Sequence, residues 1–139
     1  MELNNTTKYA IRIVNYINRY SSDEKLYSAR VLAEKLNINY KFLTTIMTKL
    51  VKAEILLSIR GKEGGFKLAK EPAEIFLMDI IEVFDDSFKR DACLLGIDVK
   101  CDEKKRCFLH DKWLKPKKEI YELFEGTSLA DIKRSGEKF

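Results

Sequence analysis

The feature that most constrains the fold is a pair of short amphipathic helices followed by a glycine-rich hairpin, between residues 28 and 69. Ser28 is suited to cap a helix that carries Leu32 on its apolar face. Asn37 follows, and asparagine tolerates the left-handed backbone of a tight turn. Asn39 can then cap a second helix, whose inward positions at helical spacing are Leu43, Ile46, Met47 and Leu50. Two short helices joined by such a turn predict a helix-turn-helix.

The hairpin extends this prediction. Residues 55–60 (ILLSIR) are strand-like, residues 61–65 (GKEGG) form a turn cluster, and residues 66–69 (FKLA) begin a second strand. Gly64 and Gly65 allow backbone conformations that other residues would strain. A β-hairpin directly after a recognition helix is a wing. We therefore predict a mainly α protein with a small β-hairpin wing: a winged helix-turn-helix domain followed by a long C-terminal dimerisation helix.

Charge is distributed unevenly, which points to a polyanionic partner for the first half. Residues 1–70 carry 13 Lys and Arg against 6 Asp and Glu, whereas residues 71–139 carry 13 against 16. The outward face of the third helix has hydroxyls and ammonium groups and no acid, which suits phosphates and base edges in a major groove. Arg60 ends the first strand, where a long cation could reach a minor groove. The candidate contacts to double-stranded DNA are Asn39, Tyr40, Lys41, Thr44, Thr45, Thr48, Lys49, Lys52, Arg60 and Lys62.

All cysteines and the sole histidine of the chain lie within eighteen residues, at Cys93, Cys101, Cys107 and His110. These side chains bind soft and borderline metals. Structural zinc sites usually bring ligands in pairs two to four residues apart, whereas the gaps here are seven, five and two residues. Such spacing is better matched to an iron–sulfur cluster of the 2Fe–2S or 4Fe–4S type, whose thiolate ligands are sometimes replaced by histidine. Zinc, or free thiols beside a surface histidine, remain alternatives.

The C-terminal part predicts a long helix with an apolar stripe. Its members are Leu109, Trp113, Ile120, Leu123 and Phe124, and Pro116 breaks, kinks or begins the helix. We interpret the stripe as a homodimer interface, since helix-turn-helix proteins commonly bind palindromic sites as two-fold dimers. The alternative is packing onto helix 1 of the same chain, whose predicted cap is Thr6 or Thr7. The tail after Ile132 is expected to fray.

These patterns predict three segments and exclude several classes of protein. Residues 1–86 form the DNA-binding domain, 87–110 the cluster-binding loop, and 111–139 the dimerisation helix and tail. No apolar run is long enough to span a membrane, and the N-terminal residues do not resemble a secretory leader, so a cytoplasmic protein is expected. An enzyme is disfavoured, because the chain has one histidine and no catalytic Ser–His–Asp or phosphate-binding glycine pattern.

The sequence resembles the bacterial winged-helix regulators that include IscR, NsrR, RirA and CymR. The resemblance runs from about Leu3 to Ile132. It is carried by KYAIR (8–12), LAEKLNI (32–38), FLTTIMTKL (42–50), SIRGKEGGFKLA (58–69), DII (79–81), the cysteine block from CLLG to HDKW, and TSLADI (127–132). It implies a homodimeric transcription factor in which three cysteines, at the positions of Cys93, Cys101 and Cys107, hold a cluster that controls DNA binding.

The fourth ligand differs among these regulators. IscR-like members use a histidine three residues after the third cysteine, and His110 stands there. NsrR-like members use an acid near the N-terminus of the partner subunit, where this chain has Lys8. Glu54 is a second departure, because many relatives have glycine at that position.

Two functions remain open from the sequence. The first is a transcriptional regulator, expected to be a repressor, whose operator affinity is set by an iron–sulfur cluster that senses iron, redox state or nitric oxide. The alternative is a cluster-free regulator of the same fold, controlled by a partner protein or by thiol modification.

Overall fold

The structure is a computed structural model that describes residues 2–20, 25–89, 92–93, 95, 104 and 106–136. The described residues form six α-helices and one two-stranded antiparallel sheet. The helices are α1 (Asn5–Tyr20), α2 (Ala29–Leu36), α3 (Tyr40–Lys52), α4 (Leu77–Phe84), α5 (His110–Gly126) and α6 (Leu129–Ser135), and the strands are β1 (Leu56–Ile59) and β2 (Gly65–Leu68). Short 3₁₀ turns at Pro72–Glu74 and Asp86–Phe88 flank α4. This architecture confirms the mainly α fold with a small hairpin.

The helix-turn-helix forms as predicted, because both of its helix ends are fixed by local hydrogen bonds. Ser28 accepts from the amide of Val31 at the start of α2, and Asn39 accepts from the amide of Phe42 at the start of α3. Asn37 adopts the left-handed conformation with φ 52°. The amide of Ile38, which is buried, then donates back to the carbonyl of Ala33 over 2.9 Å. The turn therefore closes without glycine.

A second left-handed turn ends α3 and starts the wing. Glu54 has φ 60°. Its amide donates to the carbonyl of Val51, and the amide of Ile55 donates to the carbonyl of Leu50, each over 3.0 Å. Ile55 and Leu50 are both buried, which completes the hydrophobic contact of a Schellman motif. Glu54 thus occupies a backbone conformation that glycine adopts at lower energy.

The wing is the predicted hairpin with slightly shorter strands. Leu56 pairs with Leu68 and Ile59 with Gly65. Gly64 is required by space, because a Cβ there would lie 2.1 Å from the carbonyl oxygen of Ile59. Tyr27 forms a bridge to Phe66, with hydrogen bonds of 3.0 and 2.8 Å. This bridge ties the wing to the segment before α2.

Helix α1 lies at the centre of the core, and its cap differs from the prediction. Asn4 caps the helix by accepting from the amide of Thr7 over 2.8 Å. Assigning the cap to Thr6 or Thr7 was wrong, because both residues lie inside the helix and Thr7 is buried. The apolar face of α1 packs against the other helices through Ala10, Ile13, Val14 and Ile17, which are fully buried.

The C-terminal elements return to this core. The residues that flank Phe76 form backbone hydrogen bonds with the residues that flank Ser128. The amide of Leu77 donates to the carbonyl of Thr127, and the amide of Leu129 donates to the carbonyl of Ile75. Ser128 caps α6 in a reciprocal capping box with Asp131. Hydrogen bonds from the backbone and hydroxyl of Ser128 hold the pKa of Asp131 below its ordinary value. Helix α6 continues to Ser135, so the expected fraying after Ile132 was wrong for residues 133–135.

Helix α5 packs against α4 of its own chain, which revises the interpretation of the apolar stripe. Ile120, Tyr121 and Phe124 contact the core, and Phe124 stacks edge-on against Phe88 with ring centroids 5.8 Å apart. Only Leu123 of the stripe's last three members is strongly exposed, at 60%. Ile120 and Phe124 therefore lie at least partly against the chain's own core, on the side of α4 rather than of helix α1, and the intermolecular face stays a prediction. Pro116 lies inside the continuous helix, where it cannot donate to the carbonyl of the residue four positions earlier.

The left-handed Glu54 generates a stability prediction. A non-glycine residue in this conformation costs about 1–2 kcal/mol. Replacement by glycine removes this cost, but the greater freedom of glycine in the unfolded chain offsets roughly 0.4–1 kcal/mol of the stability gained. We expect Glu54→Gly to raise the free energy of unfolding by about 0.5–1 kcal/mol. Urea denaturation at a fixed protein concentration measures the change.

Glu54→Ala is the matched control, because it removes the exposed carboxylate and keeps the Cβ. Its unfolding midpoint should stay close to that of the original protein. A Glu54→Gly variant no more stable than Glu54→Ala would contradict the account.

Candidate DNA interface and cysteine segment

One face of α3 carries an exposed row of hydroxyls and ammonium groups. Lys41, Thr45, Thr48 and Lys52 are spaced by four, three and four residues, so they lie on one side of the helix. Leu43, Ile46, Met47 and Leu50 fill the opposite side and are buried. Nothing on α3 is acidic. We call these four exposed residues the α3 row.

The threonine hydroxyls of α3 already have partners within the helix. Thr44 and Thr45 both donate to the carbonyl of Lys41, over 2.9 and 3.0 Å, and Thr48 donates to the carbonyl of Thr44 over 2.8 Å. A hydroxyl has one hydrogen and two lone pairs. The exposed Thr45 and Thr48 can therefore accept hydrogen bonds from base amino groups without breaking these contacts, whereas donation to a phosphate requires rotation.

The remaining α3 candidates lie beside the row or at the start of the helix. The Lys49 ammonium sits 5.8 Å from the ring centroid of Phe84, so this side chain leans towards α4. Thr44 is half-buried, and Tyr40 is exposed at the first turn beside α2. Asn39 is exposed, but its side-chain oxygen is engaged in the cap. The structure thus places Lys49 and Thr44 at the edges of the polar face of α3, whereas the sequence pattern did not distinguish them from its other residues.

Arg60 and Lys62 lie together at the tip of the wing. Both are exposed, in the loop between β1 and β2. Gly61 between them has φ +120°, a conformation that side chains rarely adopt. The hairpin follows α3 after only three residues, so the α3 row and the wing tip belong to one continuous structural unit. Its exposed surface has the polar, cationic chemistry that a DNA duplex requires.

Residues 87–110, which we call the cysteine segment, are described only in part. Cys93 and Cys107 are half-buried and form no disulfide, while Cys101 lies outside the described residues. His110 is 4% exposed and begins α5, where its amide donates to the carbonyl of Cys107 over 3.0 Å. The alternative of free thiols beside a surface histidine does not fit this burial, and the assignment of His110 as a ligand stays a prediction. Among the described residues, no three His, Cys, Asp or Glu side chains are close enough to hold a metal ion.

Helix α5 holds the residues that lead into Cys93. Lys117 donates from its ammonium to the carbonyl of Ala92 over 3.0 Å. Tyr121 donates from its hydroxyl to the carbonyl of Phe88. Cys93, Trp113, Lys117 and Tyr121 are among the residues that line a cavity of about 330 Å³. Helix α5 is therefore joined by side-chain hydrogen bonds to the residues on the N-terminal side of Cys93.

Sequence reasoning missed Lys117 and Tyr121. Together with Trp113 they recur every four residues, which places them on one face of a helix. That spacing was available from the sequence. However, the lysine interrupts the apolar pattern, so an apolar stripe alone does not reveal this row. Glu2 was missed as well; it lines the same cavity and forms an ion pair with Lys8.

Comparison with known proteins agrees with this architecture. The sequence profile of the Rrf2 family, described as an iron-dependent transcriptional regulator, matches residues 3–135. A putative HTH-type transcriptional regulator of Aquifex aeolicus is 36% identical over 142 residues, covering 99% of this chain and 95% of that protein.

Solved structures of regulators share the fold. The IscR structure from T. potens has a TM-score of 0.74 at 26% identity, covering 99% of this chain and 89% of its own. CymR, the global cysteine regulator of B. subtilis, has a TM-score of 0.77 at 23% identity, covering 97% and 98%. These proteins are regulators and not enzymes. Within the described residues, no helix is both long and apolar enough to cross a bilayer.

The α3 row and the wing thus occur in a fold shared with regulators of transcription, and the family profile extends over almost the whole sequence. The chain is a DNA-binding transcriptional regulator with a winged helix-turn-helix, and it belongs to the Rrf2 family.

Proposed function

We propose that the protein is a cytoplasmic, homodimeric repressor whose affinity for a palindromic operator is controlled by an iron–sulfur cluster. The cluster would be of the 2Fe–2S or 4Fe–4S type and respond to iron, redox state or nitric oxide. The observation that carries the DNA-binding part is the exposed, acid-free α3 row beside the cationic wing tip. The family description, an iron-dependent regulator, supports the sensing part.

The proposed docking on DNA follows from the arrangement of α3 and the wing. Helix α3 enters the major groove, where Lys41 and Lys52 neutralise phosphates and Thr45 and Thr48 meet base edges. Arg60 at the wing tip reaches the adjacent minor groove. Lys49 contributes less than Lys52, because its ammonium already lies against the ring of Phe84. Thr44 is half-buried and contacts DNA only at the edge of the row.

The donor set fits an iron–sulfur cluster in its chemistry. Cys93 and Cys107 have free thiols, and the buried His110, three residues after Cys107, offers imidazole as a fourth ligand. We propose Cys93, Cys101, Cys107 and His110 as the ligands. A bound cluster would supply a one-electron centre that is sensitive to oxidants and to iron supply. His110 stands at the start of α5, so ligation would fix the start of that helix.

The proposed dimer uses the exposed side of α5. The inner side is occupied by the same chain through Ile120 and Phe124. Leu123, in contrast, is 60% exposed although it is a large apolar residue. An exposed leucine on the outer side of α5 favours pairing between two copies, which would present two α3 helices to the half-sites of a palindrome.

A cluster-free regulator is the second candidate. The structural similarity to CymR and the free, half-buried thiols of Cys93 and Cys107 favour it. In this case a partner protein or a modified thiol would control DNA binding. The visible absorbance of protein purified without oxygen separates the two candidates, because only a cluster absorbs there.

The DNA interface can be tested at the wing tip. Arg60→Ala should weaken operator binding by about 1–3 kcal/mol, the scale of one good groove contact. Arg60→Lys is the matched control: it keeps the charge and should preserve binding to nonspecific DNA. Fluorescence anisotropy with operator and scrambled duplexes measures both. Equal operator affinity of all three proteins would remove the wing from the interface.

The α3 row predicts a difference between two neighbouring lysines. Lys52→Ala should reduce the slope of log affinity against log salt by about 1, because one phosphate contact is lost. Lys49→Ala should change the slope less, since its ammonium leans towards Phe84. Titrations at several salt concentrations provide the slopes. A larger change for Lys49→Ala would mean that α3 docks through its other edge.

The cluster has a direct test. Replacing Cys93, Cys101 or Cys107 with Ala should abolish visible absorbance and bound iron, while His110→Ala should shift the spectrum if water replaces the imidazole. Loading should change operator affinity by about 10–100-fold, which corresponds to ~1.4–2.8 kcal/mol of coupling. Iron and sulfide analysis of anaerobic protein measures occupancy. Colourless, iron-free protein that still regulates its DNA binding would support the cluster-free candidate.

Two adjacent residues of α5 test the dimer. Leu123→Glu should give a folded monomer, because it charges an exposed apolar surface. Phe124→Glu should lower the unfolding temperature instead, because Phe124 packs on Phe88. Sedimentation and thermal unfolding distinguish these effects. A Leu123→Glu protein that still sediments as a dimer would place the interface elsewhere.

A further inference from the structure

Tyr9 and Arg12, in the KYAIR motif of α1, take no part in the proposed docking on DNA. They are three residues apart, so their side chains lie on one face of the helix. Both are half-buried. The guanidinium carbon of Arg12 lies 5.6 Å from the ring centroid of Tyr9, which is within the range of a cation–π contact. The two side chains therefore act as one unit on the surface of α1.

The guanidinium of Arg12 reaches the end of α2. Its Nη2 atom donates to the carbonyl of Leu36, the last residue of that helix, over 3.3 Å. The last carbonyls of a helix have no partner within the helix itself. The amide of Asn37 donates to the carbonyls of Ala33 and Glu34, and Arg12 serves that of Leu36. A cation at this end of a helix also interacts favourably with its dipole. Arg12 thus ties α1 to the turn of the helix-turn-helix.

The ring of Tyr9 contacts the start of α3. It meets the ring of Phe42 edge-on, at an interplanar angle of 89° and with centroids 5.5 Å apart. The charge distribution of aromatic rings favours such T-shaped pairs. The amide of Phe42 is the group that Asn39 caps, and Lys41 of the α3 row precedes Phe42 directly. The first turn of α3 is therefore held both by its own cap and by α1.

We propose that Arg12 and Tyr9 are positioning residues for DNA recognition. Together they hold the end of α2 and the start of α3 against α1, and so set the orientation in which the α3 row enters the major groove. This inference rests on the proposed docking of α3. Neither residue contacts DNA itself.

Base contacts and phosphate contacts respond differently to a small rotation of α3. Hydrogen bonds from Thr45 and Thr48 to base edges weaken steeply when their geometry is lost. Lys41 and Lys52, in contrast, end in flexible chains that can follow a phosphate. Loss of the Arg12 contact should therefore lower the affinity for the operator and leave the affinity for nonspecific DNA nearly unchanged. A direct contact of Arg12 with a phosphate would contribute to both affinities.

The experiment compares two arginines of α1 in the whole chain. Arg12→Met keeps a long side chain and removes the guanidinium. It should lower the affinity for a duplex that the original protein selects from a random pool by about 10-fold, the scale of one base contact. Arg12→Lys should recover much of this loss, because an ammonium can donate to the same carbonyl. Arg19→Met is the matched control, since Arg19 also donates to a carbonyl, that of Gly136 at the end of α6.

Affinities for the selected and a scrambled duplex are measured at several salt concentrations, at a temperature at which thermal unfolding shows every variant to be folded. For Arg12→Met, the affinity for the scrambled duplex and the slope against salt should equal those of the original protein. A slope reduced by about 1 would make Arg12 a phosphate contact and overturn the proposal. Unchanged affinity for the selected duplex would also overturn it, as would an equal loss in Arg19→Met.

Tyr9 supplies a second arm, which decides the matter if Arg12→Met does not fold. Tyr9→Leu removes the aromatic ring and should lower the affinity for the selected duplex. Tyr9→Phe keeps the ring that meets Phe42 and should not. Because both residues act through one contact, combining Arg12→Met with Tyr9→Leu should lower the affinity by less than the product of the two single effects. Equal affinities of Tyr9→Leu and Tyr9→Phe would contradict the proposed role.

Failure of this inference differs from failure of the proposed docking. If Lys52→Ala and Arg60→Ala leave DNA binding unchanged, α3 and the wing do not dock as proposed. If those variants weaken binding while Arg12→Met and Tyr9→Leu do not, the docking stands and the positioning role fails.

Discussion

The bridge between residues 75–77 and 127–129 is the constraint on which the arrangement of the C-terminal half depends. Two backbone hydrogen bonds join these segments, and Leu129 is fully buried between them and α1. The side-chain amide of Asn18, itself buried, donates to the carbonyl of Leu129 over 2.9 Å. Backbone groups buried away from water need such partners. The end of α5 is therefore fixed to the DNA-binding unit.

Because one end of α5 is fixed, a displacement of the other end would change the direction of the whole helix. Its C-terminal part is held by the bridge and by Phe124 on Phe88, whereas its N-terminal part carries Trp113 and His110 beside the cysteine segment. A change at the cysteines would act on this N-terminal end. In the proposed dimer, which uses the exposed Leu123, a shift in the direction of α5 would alter how the two copies meet, and with it the spacing of the two α3 helices.

Local patterns predicted the parts of the fold that local chemistry determines. Ser28, Asn37 and Asn39 were assigned correctly because each acts on backbone groups within a few residues. The hairpin followed from its glycines for the same reason. The cap of α1 was misplaced, since Asn4 and Thr7 are both plausible caps and only the tertiary contact of Asn4 with Phe84 and Asp85 distinguishes them.

Burial that depends on contacts with distant parts of the chain was predicted less well. The stripe on α5 showed that apolar residues share a face, but periodicity does not reveal which surface covers that face. The structure assigns Ile120 and Phe124 to the chain's own core and leaves Leu123 exposed. The burial of His110 was missed for the same reason, because its cover comes from the folded chain rather than from neighbouring residues.

A short physical path joins the cysteine segment to the DNA-facing helix. Phe88, which accepts from Tyr121, lies four residues after Phe84 at the end of α4. Phe84 in turn lies under the ammonium of Lys49 on α3. Contiguity alone does not produce regulation, because a ligand shifts an equilibrium only through its different affinity for two states. The corner between α4 and the cysteine segment contacts both α3 and α5, so it is the contiguous route along which the proposed ligation of Cys93 would act on the DNA-facing helix.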